Sequence, residues 1–240
     1  IKAIGLELVT KSPGRHNRLP LWDWICNQPW PGEIVNGEHE AEILEEENGL
    51  IITLTYQTSS TEVDSGAEPV DGLLIVKKYM FYPDRYYFNL SITIKNVSEK
   101  TKHLKAGWAD LDIGYSINLA STIGNSSAND FQAFRFHEED PVVGLQKSEW
   151  WTNRYKTSDH GGVGLDWMAI YDSEEGGVIA LKVLNYSETF SVKLEAEPWY
   201  GIEVRAEYKP ETLSPGESVT YSMVVYGGLI GKQLDDAGFT

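Results

Sequence analysis

The chain has one cysteine, Cys26, so no internal disulfide can form and the fold must be held by its core. Basic residues are scarce: 20 Lys and Arg stand against 36 Asp and Glu, a formal net charge of −16 over 240 residues. Phosphate recognition needs clustered Lys and Arg, so nucleic acid is not an expected partner, and anionic lipid is disfavoured on the same ground. No apolar run is long enough to cross a bilayer, so this segment is not expected to insert into a membrane directly.

Motifs of reactive sites are missing as well. None of His16, His39, His103, His137 and His160 has metal-ligand spacing to another His or to a Cys. The acidic run His137-Glu138-Glu139-Asp140 lacks the Asp-x-Asp-x-Asp-Gly order of a shaped calcium loop. No Gly-x-Ser-x-Gly elbow presents a serine nucleophile. The glycine cluster Gly161-Gly162-Val163-Gly164 opens no helix whose dipole would favour an anion. With 36 acidic residues, too many carboxylate pairs exist for one to stand out as a glycosidase pair. No catalytic residue, metal ligand or cofactor site is therefore assigned, and a non-catalytic domain is expected.

What the sequence does have is aromatic and strand-forming. Eight Trp and 13 Tyr accompany recurrent Val, Ile and Thr, the composition of sheet and not of helical bundle. Residues 3–10 alternate Ile4, Leu6 and Leu8 against Gly5, Glu7 and Val9, which predicts a half-buried strand. The aromatic stretch Leu21-Trp22-Asp23-Trp24-Ile25 precedes Pro29-Trp30-Pro31-Gly32, whose prolines limit regular structure to a short strand in an ordered loop. Asn48-Gly49 between two strand-like runs predicts a hairpin over 38–56. Residues 73–82 and 85–95 read as two long strands joined at Pro83-Asp84, with Phe88, Leu90, Ile92 and Ile94 on one face.

Further strands are predicted at 103–108, 111–117, 131–137, 149–155, 165–171, 178–184, 190–196, 201–208 and 218–226, with a short helix in the tail at 229–237. Consecutive hairpins without crossover helices imply antiparallel sheets packed face to face. The expectation is an all-β, antiparallel β-supersandwich of two large packed sheets with a short C-terminal helix. One domain over 1–240 accommodates this length, with a subdivision open near the Ser- and Asn-rich tract at 118–130.

The sequence opens at Ile1-Lys2-Ala3-Ile4 without an initiating Met, the form expected of a mature secreted protein or an excised domain. Asn-x-Ser sequons at Asn89, Asn96, Asn125 and Asn185 permit N-glycosylation in such a setting. An extracytoplasmic location, periplasmic or at the cell surface, is expected.

The run Leu73-Leu74-Ile75-Val76-Lys77-Lys78-Tyr79-Met80-Phe81-Tyr82-Pro83-Asp84-Arg85-Tyr86-Tyr87, continuing through Phe88 to Asn96, resembles the strand pair of the extracytoplasmic domain of YidC-type membrane protein insertases. Leu213-Ser214-Pro215-Gly216-Glu217, Tyr226-Gly227-Gly228 and Lys232-Gln233-Leu234 resemble that domain's last strand and closing helix. The family's Trp-x-Ala-x-x-x-x-Tyr-Phe segment is matched only in its first three residues, at Trp167-Met168-Ala169, after which residues 171–177 predict a hairpin instead. The resemblance covers about a third of the chain and implies a galactose mutarotase-like β-supersandwich. It also implies a non-catalytic domain that contacts other proteins of the cell envelope.

Two other readings compete with this one. The supersandwich is shared with carbohydrate-active domains, and an indole beside a carboxylate is a common way to hold a sugar. Trp22, Asp23, Trp24, Trp30, Glu149, Trp150, Trp151, Arg154, His160 and Asp166 are the candidate binding residues on that ground, with glycans as partners. The Asn-His-x-Tyr-Phe-Asn segment of sugar epimerases of this fold is absent. In the other reading the chain is a surface or filament subunit whose strand at 3–10 adds to the sheet edge of another copy.

Overall fold

A computed structural model describes residues 21–29, 32–107, 113–120, 131–137, 140–146, 158–159, 166–172, 176–184, 189–197 and 201–239. The predicted strands at 3–10 and 149–155 lie outside these residues, as do the glycine cluster at 161–164 and the sequons Asn125 and Asn185. The described chain is mostly β-strand, and every pairing with a defined register is antiparallel. It divides into two compact units, one of Asp23–Ser116 with Glu207–Met223, the other of Ile1–Trp22, Ile117–Ala206 and Val224–Thr240.

In the first unit, β2 (Glu40–Glu46), β3 (Gly49–Gln57), β4 (Leu73–Phe81) and β5 (Tyr87–Asn96) form a meander, followed by residues 218–223 of β16 (Ser218–Leu229). The β4–β5 register sets Ile75 opposite Ile94, Lys77 opposite Ile92, Tyr79 opposite Leu90 and Phe81 opposite Phe88. Period-two alternation puts these pairs on one face, and Leu73, Ile75, Leu90, Ile92 and Ile94 are buried there. The predicted strand pair therefore forms with its apolar face as expected.

Against this core lie residues of β1 (Leu21–Ile25), the start of β7 (Tyr115–Ala120) and the end of β14 (Gly201–Tyr208). The strand expected at 103–108 shortens to β6 (Lys102–Leu104), which pairs with β15 (Glu211–Leu213), a strand that sequence patterning missed. The strand expected at 111–117 forms later, as β7.

The 38–56 hairpin forms, but its turn differs from expectation. Glu46 pairs with Gly49, so the two loop residues are Glu47 and Asn48 and Gly49 opens the second strand. Gly49 has φ of 154°, and a Cβ there would stand 2.0 Å from the Phe81 carbonyl oxygen. Glycine is required at this site by close approach of the neighbouring strand and not by a primed turn.

In the second unit, residues 224–229 of β16 are followed by β12 (Gly177–Val183), β11 (Trp167–Asp172), β8 (Phe131–His137) and β9 (Asp140–Gln146). β7, β14, β13 (Thr189–Glu197) and β10 (Ser158–Asp159) are ordered together in a further sheet. His137 at the end of β8 stands opposite Asp140 at the start of β9. The tail helix forms as α2 (Lys232–Asp236). Beyond it, Phe239 packs against Trp167 and Tyr226, and Lys182 Nζ donates to the Gly238 carbonyl at 2.6 Å.

Candidate functional site

Within the first unit, three strands bring charged and phenolic groups to one buried point. Asp23 comes from β1, Lys77 from the apolar row of β4, and Tyr115 from the start of β7. Lys77 Nζ lies 2.5 Å from Asp23 Oδ1, and the Tyr115 hydroxyl donates to Asp23 Oδ2 at 2.9 Å. Asp23 is 5% exposed and Lys77 7%. A charge at such depth persists only when paired and hydrogen-bonded, and here each carboxylate oxygen has a donor.

The tyrosines around this carboxylate hold their protons strongly. Burial, and then the negative charge of Asp23, push Tyr79 up to about 12. Burial first, then the charge and hydrogen bond of Asp23 and the neighbouring Tyr208 and Tyr221, raise Tyr115 well above the usual phenol range. The Tyr115 ring stacks on Tyr221 at 4.5 Å between centroids, and Tyr208 lies 4.4 Å from Tyr221. At neutral pH Tyr79 and Tyr115 therefore keep their protons and are potential donors, not bases.

Further along the same face the burial relaxes. Tyr79, Phe81 and Phe88 are half-buried, with Phe81 and Phe88 at 4.9 Å, Tyr79 and Phe88 at 6.0 Å, and Tyr79 and Phe81 at 6.5 Å. Leu50 and Ile52 of β3 stand opposite Phe81 and Tyr79 and continue the row. The result is a partly open aromatic ledge beside a buried acid–amine pair. An aromatic face offers dispersion and CH–π contact to a ring with apolar C–H groups, while the Tyr79 hydroxyl at its inner end supplies a polar atom.

A second polar cluster ties down α1 (Gly32–Asn36). Glu33 accepts from Tyr56 Oη at 3.1 Å, Gln28 Nε2 at 3.2 Å and the Ser60 backbone N–H at 2.9 Å. Burial works to raise its pKa, but hydrogen bonds from Ser60, Gln28, Tyr56 and Ser59 outweigh it together and hold the carboxyl below its usual value. His39 packs its ring on Tyr56 at 5.2 Å, with Nδ1 2.9 Å from the Gly37 carbonyl. These contacts clip the helix to the 58–60 turn and read as structural.

Of the residues expected from sequence, Asp23 and Trp24 are well placed in the structure, but both are buried. Trp24 Nε1 donates to the Gln28 carbonyl at 2.8 Å, so its indole belongs to the core and not to a surface platform. The correction at Asp23 has the same physical origin: its carboxylate faces Lys77 and Tyr115 and not solvent. Trp22 is described by its backbone in β1 alone. Asp166 is half-buried, and its carbonyl accepts from Val183 N at 3.1 Å. Trp30, Glu149, Trp150, Trp151, Arg154 and His160 lie outside the described residues.

Sequence reasoning missed Lys77, Tyr79, Phe81, Phe88 and Tyr115. One signal was available: Lys77 interrupts the inward row Leu73, Ile75, Tyr79, and a lysine in a buried row demands an anionic partner. Among the described residues, no group of three or more His, Cys, Asp or Glu is placed to hold a metal ion, and no helix is long and apolar enough to cross a membrane.

No protein-family model and no curated protein matches the chain. Solved structures do match. An Escherichia coli protein described as a candidate aldose 1-epimerase aligns over 85% of this chain and 75% of its own, with a TM-score of 0.53 and 13% identity. A galactose mutarotase-like protein from Lactobacillus casei aligns over 83% and 77%, with a TM-score of 0.51 and 11% identity. The alpha-galactosidase of Lactobacillus brevis aligns over 96% of this chain but 32% of its own, with a TM-score of 0.52 and 8% identity.

The fold is galactose mutarotase-like. At these identities the likeness establishes the β-sandwich architecture, which agrees with the supersandwich expected from sequence. None of these three structures is described as an insertase, and the expectation of a non-catalytic domain draws no support from them.

Proposed function

We propose that the chain is a carbohydrate-binding or carbohydrate-acting β-sandwich domain. The observation that carries this reading is the fold likeness, which extends over 85% of the chain to a candidate aldose 1-epimerase. The ledge of Tyr79, Phe81 and Phe88 supports it locally, because stacking on a sugar's apolar face with a phenol donor at the edge is a chemistry suited to saccharides. The insertase reading has only sequence resemblance behind it, at 73–96, 167–169 and 213–234, and no structural observation favours it over this one.

The test has two arms. Saturation-transfer NMR and intrinsic fluorescence are read across a panel of hexoses, pentoses and their oligomers, and polarimetry follows the interconversion of freshly dissolved α-anomers with and without protein. Saturable binding of at least one saccharide supports the proposal, and accelerated mutarotation adds an activity. No saturable binding in the millimolar range together with an unchanged anomerisation rate overturns it.

A further inference from the structure

The edge of the first unit's sheet is unusual in its charge and exposure. β2 has a strand partner on one side only among the described residues, and all seven of its residues are exposed. Ile43 is 65% exposed and Leu44 51%. Register places Ile43 opposite Ile52, which itself faces Tyr79, and places Leu44 opposite Ile51, which faces Met80. Each apolar row of the sheet thus reaches its last strand and stops at an exposed side chain. Charged residues commonly protect a bare edge, and β2 carries Glu40, Glu42, Glu45 and Glu46, all of one sign. Uniform sign repels an acidic strand but attracts a basic one, so the edge is selective and not merely protected.

A segment of complementary charge exists in the same sequence. Residues 1–18 carry Lys2, Lys11, Arg15 and Arg18 against the single acid Glu7, in a chain whose total is −16. Ile4, Leu6 and Leu8 alternate along it, the pattern that a strand lying on a sheet edge requires. We propose that the β2 edge accepts the basic amino-terminal segment of a second copy of this chain, which adds as a strand and covers Ile43 and Leu44. Donor and acceptor are different surfaces, so the contact is head-to-tail and joins subunits into rings or open chains. Repulsion between two acidic bodies is damped over a Debye length of about 8 Å at physiological salt, whereas paired strands sit about 5 Å apart. The inference does not depend on the carbohydrate reading.

A charge-swap experiment on the full chain tests it. Sedimentation velocity follows the parent, the tail variant Lys2→Glu/Lys11→Glu, the edge variant Glu42→Lys/Glu45→Lys, and a 1:1 mixture of the two variants. The parent is expected to gain weight-average mass with concentration. Each variant alone is expected to need at least about tenfold higher concentration for the same mass, and the mixture, in which the unchanged basic tail of the edge variant meets the unchanged acidic edge of the tail variant, to recover association at least to the heterodimer. The substituted edge positions are exposed, and unchanged thermal midpoints verify that the fold is intact. A parent that stays monomeric throughout, variants that associate as the parent does, or a mixture no better than its components would each overturn the proposal.

Discussion

The Lys77 ammonium and the Asp23 carboxylate form a salt bridge between β4 and β1, across 54 residues of sequence, with both side chains only 8% exposed. Desolvating two charges opposes folding, and the Tyr115 hydrogen bond to the second carboxylate oxygen helps to offset it. What such a pair does well is punish its own disruption. Removing one partner leaves the other buried and uncompensated, so Lys77→Met and Asp23→Leu are each expected to lower unfolding free energy by about 3–5 kcal/mol. The double variant is expected to be less destabilised than the sum of the two. Urea denaturation of the four proteins, closed as a double-mutant cycle, measures the coupling directly. Additive losses would mean that the two groups do not interact.

Tyr79 gives the protein an alkaline weakness. Its folded pKa, raised to about 12 by burial and by the Asp23 charge, lies above the unfolded phenol value of 10.0. Between these values the unfolded chain has released a proton that the folded chain still holds, so rising pH favours unfolding. The contribution is fully present below pH 10 and is lost as pH climbs through 12. A shift of this size corresponds to roughly 2–3 kcal/mol, and Tyr79→Phe is expected to flatten this part of the alkaline limb. Denaturation midpoints from pH 8 to 12, with tyrosinate absorbance as a parallel readout, provide the measurement.

Gly49 and Gly227 make a matched contrast. An added Cβ at Gly49 meets the Phe81 carbonyl oxygen at 2.0 Å, whereas at Gly227 nothing lies within 4 Å. Gly49→Ala is expected to cost about 1–3 kcal/mol, because backbone of the adjacent strand must move. Gly227→Ala has open space and an ordinary backbone, and should stay within about 1 kcal/mol of the parent. Thermal melts of the two variants test the difference, and equal losses would contradict the close-approach account.

Asn96 looks like a glycosylation acceptor in sequence but is occupied in the fold. It is 0% exposed, and its Nδ2 donates to the Lys100 carbonyl at 2.7 Å and the Leu213 carbonyl at 2.8 Å. Its Oδ1 accepts from the Ser98 backbone N–H and hydroxyl, so the sequon's own serine completes the turn. Folded protein secreted from a glycosylating host is expected to carry no glycan at Asn96 in peptide mass mapping. Asn96→Ala is expected to destabilise by about 1–3 kcal/mol through the buried hydrogen bonds it removes. A substantial Asn96-linked glycan on folded chains would refute the assignment.

The parts of this fold legible in the sequence were those where one local rule decides. The β4–β5 pair followed from alternation, because a sheet with one buried face repeats its apolar residues every second position. The hairpin's existence followed from Asn48-Gly49, but its turn did not, since the demand on Gly49 comes from Phe81 on a third strand. β15 has only three residues, too few to show a period. β9 begins inside an acidic run with a proline, Asp140-Pro141, which reads locally as loop. The candidate site was least legible of all. Trp24 and Asp23 drew attention as an aromatic–acid pair, yet they are buried, and the groups that meet Asp23 lie 54 and 92 residues away. Alternation shows that Lys77 needs a partner but not which acid the topology brings to it.

The aromatic ledge yields the prediction most closely tied to function. Phe81 and Phe88 face each other across β4 and β5 at 4.9 Å and are half-buried, so replacing a ring both removes a stacking surface and loosens packing. Leucine retains much of the volume and none of the π face, which separates the two effects better than alanine does. Once a saccharide ligand is in hand, Phe88→Leu is expected to weaken its binding about tenfold, the equivalent of about 1.4 kcal/mol, within the range for aromatic contacts. Phe88→Tyr is expected to bind within about threefold of the parent, since it preserves the ring. Titration calorimetry on both variants, at a temperature where each is fully folded by circular dichroism, reads the effect. If Phe88→Leu binds as tightly as the parent, the saccharide sits elsewhere on the domain and this ledge is packing alone.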